Sequence, residues 1–173
     1  ELHCLIEHVG PWPAGHRVFA AGEPFNAIYA VRAGAIKTSV IDDQGREQVQ
    51  GFYLPGEMVG FEAIWPGHYP CMASTLDTTT LCRFSFPAMA TLARRLPGIQ
   101  QELMRRMSQH LGQTAILAGD HSADERLAAF LVGLGSRYAS MGMSARQFRL
   151  PMTRTDIANY LRLAPETISR ILR

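Results

Sequence analysis

From Trp12 to Phe86, hydrophobic residues recur in short alternating runs such as Ile28-Tyr29-Ala30-Val31 and Ala35 to Ile41. Gly15, Gly22, Gly34, Gly45, Gly51, Gly56 and Gly60 separate the runs. Alternation at period two predicts half-buried strands, and the glycines predict the turns between them. Asp42-Asp43-Gln44-Gly45 predicts a hairpin tip, and Thr78 to Phe86 a last strand. Many short strands with regular glycines predict a small jelly roll or barrel. Such a container could be a ligand pocket, a metal-dependent cupin enzyme or a scaffold. Ahead of it, Leu2, Leu5, Ile6 and Val9 predict a short helix ended by Gly10-Pro11.

From Pro87 the period changes to that of a helix. Met89, Leu92, Ala93 and Leu96 make one stripe, which Pro97 interrupts. A longer helix is predicted from about Gly98 to Ala118. Its stripe is Ile99, Leu103, Met104, Met107, Leu111 and Thr114, with Arg105, Arg106 and Gln109 outside it. The stripe has two readings, a helix packed on its own domain or a two-fold seam between subunits. Gly119 and Asp120 predict a hinge. Ser122 to Glu125 opens another helix with capping-box spacing, and Leu127, Phe130, Leu131 and Leu134 form its core face. Gly142 to Leu150 reads as a loop or short strand.

The segment Met152 to Arg173 predicts two short helices joined by a tight turn. Thr153 and Asp156 have capping-box spacing, and Pro165 suits the first position of the second helix. Ile157, Tyr160 and Leu161 face inward on the first helix, and Ile168, Ile171 and Leu172 on the second. Glu166, Ser169, Arg170 and Arg173 share the outer face of the second helix. An acceptor, a hydroxyl and two guanidinium forks are the groups that read base edges in a major groove. The pattern predicts a helix-turn-helix whose second helix reads double-stranded DNA. The plainer reading is a helical hairpin with a solvated charged face. Thr153 and Arg154, at the start of the first helix, join the candidate DNA contacts.

Charge favours the DNA reading. From Ser144 onward, six arginines stand against Asp156 and Glu166, so this segment is +4 in a chain of net +2. Positive charge gathered on the reading unit is an electrostatic footprint for phosphate. With 173 residues, 47% of them hydrophobic and 18% charged, the chain suits a soluble protein of one or two domains. No run is long enough to span a bilayer and no signal peptide opens the chain, so a cytoplasmic protein without membrane association is expected. Cys4, Cys71 and Cys82 lack paired spacing, which fits a reducing compartment. The six histidines show no metal-binding spacing, so a cupin metal centre and a zinc hydrolase are disfavoured. No catalytic constellation with supporting context is present, so a non-enzyme is expected. His68 and Tyr69 read as structural residues.

Four stretches together resemble the Crp/Fnr family of bacterial transcription regulators, closest to its Fnr branch. They are IYAVRAGAIK from Ile28, GREQVQGFYLPGEMVGFEAI from Gly45, ADERLAAFL from Ala123 and FRLPMTRTDIANYLRLAPETISRILR from Phe148. The resemblance covers essentially the whole chain. It implies an α+β fold with an N-terminal double-stranded β-helix (a jelly roll like that of cyclic-nucleotide-binding domains), a long dimerisation helix and a C-terminal winged helix-turn-helix. The wing would follow Arg173, so a piece of a longer protein is expected. The implied units are a β-roll sensor at 1–97, a dimerisation helix and hinge at 98–121, and a DNA-binding unit at 122–173. The family's Glu-x-x-Ser-Arg reading pattern falls on Glu166, Ser169 and Arg170. The resemblance further implies a homodimer on an inverted repeat of TTGAT-like half-sites, with RNA polymerase as a partner.

Departures from the family pattern carry expectations of their own. Arg162 stands where the inter-helix turn usually holds Gly, at about 1 kcal/mol if that residue is left-handed. Ala164 replaces the usual Thr cap of the second helix, losing about 1 kcal/mol. The Arg-Ser pair that holds a cyclic phosphate in some members is replaced by Met72 and Ala73, so no cyclic AMP binding is expected. Oxygen-labile [4Fe–4S] members take three ligands from a cysteine cluster before the roll and a fourth from a strand. Cys82 matches that fourth position, so a cluster would need cysteines upstream of Glu1, and none is expected in these residues alone. Oxygen or redox sensing is therefore the implied signal. The alternative is a cluster-independent member responding to haem or nitric oxide, or working constitutively. The stretch from Leu111 to Ser122 is about one helical turn short of the Fnr pattern. Thr114 also replaces an acidic residue of oxygen-gated members, which predicts readier dimerisation.

Overall fold

The computed structural model describes residues 6–115 and 121–173, with side chains described for 6–108 and 121–173. The strands are β1 (Ile6–Trp12), β2 (Arg17–Phe19), β3 (Ala27–Ala33), β4 (Ile36–Ile41), β5 (Glu47–Tyr53), β6 (Met58–Val59), β7 (Met72–Thr75) and β8 (Thr79–Ser85), all but the first drawn from the alternating runs. They assemble into two four-stranded sheets, ordered β1-β8-β3-β6 and β2-β7-β4-β5. All pairs are antiparallel. This is the predicted jelly roll. The β4–β5 hairpin turns at Gly45, whose φ of 76° suits a residue without a Cβ. Asp42 accepts from the Gln44 and Arg46 amides across that turn.

The first element differs from its predicted form. Ile6 to Trp12 is a strand and not a helix. Its apolar residues Ile6, Val9 and Trp12 fall three apart and mimic a helical stripe, but the segment pairs with β8 at the edge of the sheet. An edge strand tolerates Gly10-Pro11 because one side of its backbone needs no partner. Leu2, Cys4 and Leu5 lie outside the described residues.

Between the sheets, Phe19, Tyr29, Val31, Ile36, Tyr53 and Leu81 form one core. Tyr69 stacks on Phe19 at 3.9 Å and donates its hydroxyl hydrogen to the Ala27 carbonyl at 2.7 Å. His68 lies 3.0 Å from the Pro66 carbonyl. Tyr69 is buried in the core, whereas His68 is exposed.

A bulge in β5 creates a second core outside the roll. Thr38 pairs with Gly51 and Ser39 with Val49, leaving Gln50 as the extra residue. Beyond the bulge the facing of side chains shifts. Val49 and Phe52, three residues apart, both join the outer core, while Tyr53 stays in the inner one.

The helices follow the predicted order: α1 (Phe86–Arg95), α2 (Pro97–Ala115), α3 (Ala123–Ser140), α4 (Arg154–Leu161) and α5 (Pro165–Ile171). Leu103 of α2 packs against Ile28, Phe61 and Met89. Met104 and Met107 of the same helix are 60% and 39% exposed, so the apolar stripe is divided between the roll and open surface. Leu111 and Thr114 belong to the part of α2 whose side chains lie outside the description, and the predicted hinge at Gly119 and Asp120 is also outside it. Ser122 caps α3 with a full capping box to Glu125. Residues 142–150 form a loop without a strand. The loop crosses α3 so closely that a Cβ on Gly135 would lie 2.4 Å from the Ala145 carbonyl oxygen. Helices α3, α4 and α5 close the second core with Leu127, Leu134, Ile157, Leu161 and Ile168 on Val49, Phe52 and Leu54.

Candidate nucleic-acid interface

Helix α4 starts as its sequence dictates. Thr153 Oγ1 accepts from the Asp156 amide at 3.0 Å, and the Thr153 amide donates to Asp156 Oδ2 at 3.1 Å. The reciprocal pair satisfies two of the amides a helix start leaves open. Ile157, Ala158 and Leu161 are buried. Arg162 then adopts φ 55°, ψ 46°, the left-handed conformation usually left to glycine. The Leu163 amide reaches the Ala158 carbonyl at 2.8 Å and the Arg162 amide reaches Asn159 at 3.1 Å. These two bonds make a Schellman closure.

Helix α5 begins at Pro165 behind Ala164, which makes no side-chain cap. Ile168 is fully buried and fixes the rotation of this short helix. Glu166, Arg170 and Arg173 are exposed and Ser169 is half-buried. Among the described residues, none of these four side chains has an ion-pair or hydrogen-bond partner. Thr153 and Arg154 are exposed at the start of α4. The hairpin thus hides its apolar side and offers an unpaired row of acceptor, hydroxyl and guanidinium.

The opposite flank is tied to the roll. Lys37 of β4 donates to Asp156 Oδ1 at 2.8 Å and lies 3.0 Å from Glu47 Oε1. Burial works to lower the Lys37 ammonium, but its bonds to Asp156 and Glu47 prevail and hold it above the usual lysine range. Burial likewise works to raise Asp156, and its bonds with Lys37 and Thr153 hold it below the usual carboxylate range. Asn159 accepts from the Val49 amide at 2.8 Å and donates to the Glu47 carbonyl at 2.6 Å. Arg137 of α3 meets Glu57 with two nitrogens at 2.7 and 2.5 Å and also reaches the Phe52 carbonyl. Phe52, Phe130 and Tyr160 fill the space between, with ring centroids 5.2 to 6.0 Å apart.

Residues 10–95 match the cyclic nucleotide-binding domain family, and residues 125–173 match the Crp-like helix-turn-helix domain family. The chain is 43% identical to the fumarate and nitrate reduction regulatory protein of Escherichia coli, over 99% of this chain and 70% of the relative. The protein of that name in Salmonella typhi gives the same figures. The chain belongs to the Crp/Fnr family. Among solved structures, FixK2 from Bradyrhizobium japonicum superposes with a TM-score of 0.80 at 28% identity, covering 96% of this chain and 81% of that one. As a Crp/Fnr member, the chain is a transcription regulator with a helix-turn-helix DNA-binding unit.

The family suggests two kinds of ligand for the roll. Met72 is half-buried and Ala73 is fully buried on β7, so the strand brings no guanidinium to an anion there. For a metal cluster, Cys82 stands on β8 opposite His8, with Sγ 3.5 Å from the imidazole Nδ1. Arg32 places a guanidinium nitrogen 3.4 Å from the same Nδ1, which opposes a cation at that point. Cys71 is buried in the other sheet's end of the roll and donates to Glu62 Oε1 at 3.3 Å. Burial first, then the Glu62 carboxylate, pushes its thiol well above the usual cysteine range, so it is a poor thiolate ligand. Among the described residues no group of three or more His, Cys, Asp or Glu could hold a metal ion. These residues do not by themselves fit an iron–sulfur cluster. No described helix is long and apolar enough to cross a membrane.

Proposed function

We propose that this regulator binds double-stranded DNA as a homodimer, reading an inverted repeat of TTGAT-like half-sites through Glu166, Ser169, Arg170 and Arg173. The observation that carries the reading is the unpaired row along α5, exposed at Glu166, Arg170 and Arg173 and half-buried at Ser169, set against the full burial of Ile168 on the same helix. Arg170 donates two hydrogen bonds to a guanine edge, Glu166 accepts from a cytosine amino group, and Ser169 serves either base. Thr153 and Arg154 meet the phosphate backbone beside the groove. Ile99, Met104 and Met107 form the seam between subunits, backed by Leu103, which packs on the roll; Leu111 and Thr114 continue the same stripe in the sequence. Exposed Met104 and Met107 support it, since apolar side chains left open on a helix stripe need a cover.

The working division is a β-roll sensor at 1–97, a dimerisation helix and hinge at 98–121, and a DNA-binding unit at 122–173. The protein acts in the cytoplasm on promoter DNA, with RNA polymerase as its partner, and performs no catalysis. The signal is oxygen or redox state. Kinship with regulators named for fumarate and nitrate reduction supports this, as does Cys82 standing half-buried on β8 beside His8. Cys82 would be one ligand of a [4Fe–4S] cluster whose other ligands come from outside the described residues. Met72 and Ala73 speak against cyclic AMP as the signal.

Fluorescence anisotropy on duplexes carrying the inverted repeat or a scrambled sequence tests the reading. Arg170→Ala should weaken binding by about 1–3 kcal/mol and relax one base position. An equal loss on scrambled DNA would mean that Arg170 touches phosphate and reads no base.

A further inference from the structure

We propose that the β-roll sets the angle of the reading helix, and that Lys37 and Asn159 are positioning residues that fix which half-site spacing the protein accepts. The inference rests on the dimeric DNA reading above. It starts from β5, which ends its sheet. The outer rim of such a strand offers alternating amides and carbonyls to a neighbouring strand. The Asn159 carboxamide takes that neighbour's place, accepting from Val49 N and donating to Glu47 O. Two bonds from one planar group to backbone positions two residues apart fix both the distance and the rotation of α4. Lys37 supplies a second anchor three residues earlier on the same helix, through Asp156. Asp156 does two jobs at once: Oδ2 caps α4 and Oδ1 holds Lys37. The start of α4 therefore cannot turn without loosening either its cap or its anchor.

The docked arrangement leaves Glu166, Arg170 and Arg173 exposed. The contact therefore orients the reading face and does not cover it. In a two-fold dimer the recognition helices must enter major grooves about 34–36 Å apart. A shift of about 3.4 Å at either helix equals one base-pair step, and even a small rotation of the helical unit about its anchors produces such a shift.

The test uses full-length protein and anisotropy titrations on a panel of duplexes. The panel holds the inverted repeat at its best spacing, the same half-sites moved apart or together by one or two base pairs, a single half-site, and a scrambled duplex. The wild-type protein should prefer one spacing about tenfold or more. Asn159→Ala and Lys37→Met should each flatten that preference to about two- to threefold, through loss at the preferred spacing alone. Single-half-site binding should stay within about twofold, which also reports an intact helical unit. Lys37→Arg keeps the anchor and should keep the wild-type profile. If both disruptive variants retain the wild-type spacing profile, the positioning role is overturned. If the wild-type protein does not distinguish the inverted repeat from the scrambled duplex, the DNA reading falls and the positioning role with it.

Discussion

The two flanks of the helix-turn-helix are built on opposite terms. Toward the roll, polar groups are paired: Lys37 with Asp156, Asn159 with β5, Arg137 with Glu57. Toward solvent, Glu166, Arg170 and Arg173 have no partner among the described residues. The first flank converts its side chains into stability, and the second keeps its hydrogen-bonding capacity for another molecule. Stability and recognition are thus separable by substitution.

The largest effect should come from the core beneath both flanks. Ile157 is fully buried, and Ile157→Ala should cost about 2–5 kcal/mol. Urea unfolding would measure it, and DNA binding should fail together with the fold. Next in size is Arg137→Ala, which strands Glu57 and the Phe52 carbonyl. A loss of about 1–3 kcal/mol in the same assay is expected, with the reading row itself untouched. Arg170→Ala should do the reverse, weakening DNA binding as stated while leaving unfolding within about 0.5 kcal/mol.

Smaller gains should come from repairing the turn. Ala164→Thr supplies the missing cap, and Arg162→Gly relieves the left-handed backbone, each adding about 1 kcal/mol. A melt that does not rise for either would contradict this account of the turn.

The smallest effect concerns pH. Asp156 is held below its usual range, so its contribution is present above the ordinary aspartate value of about 3.9 and lost as pH falls through the folded value. Lys37 is held above its usual range, so its contribution is present below about 10.4 and lost as pH rises through its folded value. Between those limits the anchor should be insensitive to pH. Lys37→Met should flatten the acid limb of a stability-versus-pH curve.

Much of this is legible in the sequence alone. The capping boxes at Thr153–Asp156 and Ser122–Glu125 and the Pro165 start are local matters of a few residues, where composition decides geometry. The left-handed turn at Arg162 is not announced by that residue, which carries a Cβ; only the family resemblance points to it. The roll followed from alternation and turns. Ile6 to Trp12 did not, because three-residue spacing on an edge strand imitates a helix and only pairing with β8 settles it. The anchors were missed as well. Lys37 and Asp156 are 119 residues apart, and no periodicity links them. Nor does the sequence announce the bulge at Gln50, which turns Val49 and Phe52 outward to receive the helices.

The seat that Asn159 takes on β5 has a cost when it is vacated. Lifting the helices away would bare an unsatisfied backbone rim beside the apolar side chains Val49 and Phe52. That combination recruits strands from other molecules. The DNA-reading unit is therefore also a guard against self-association, and a protein caught with its helices undocked should be the one that clumps.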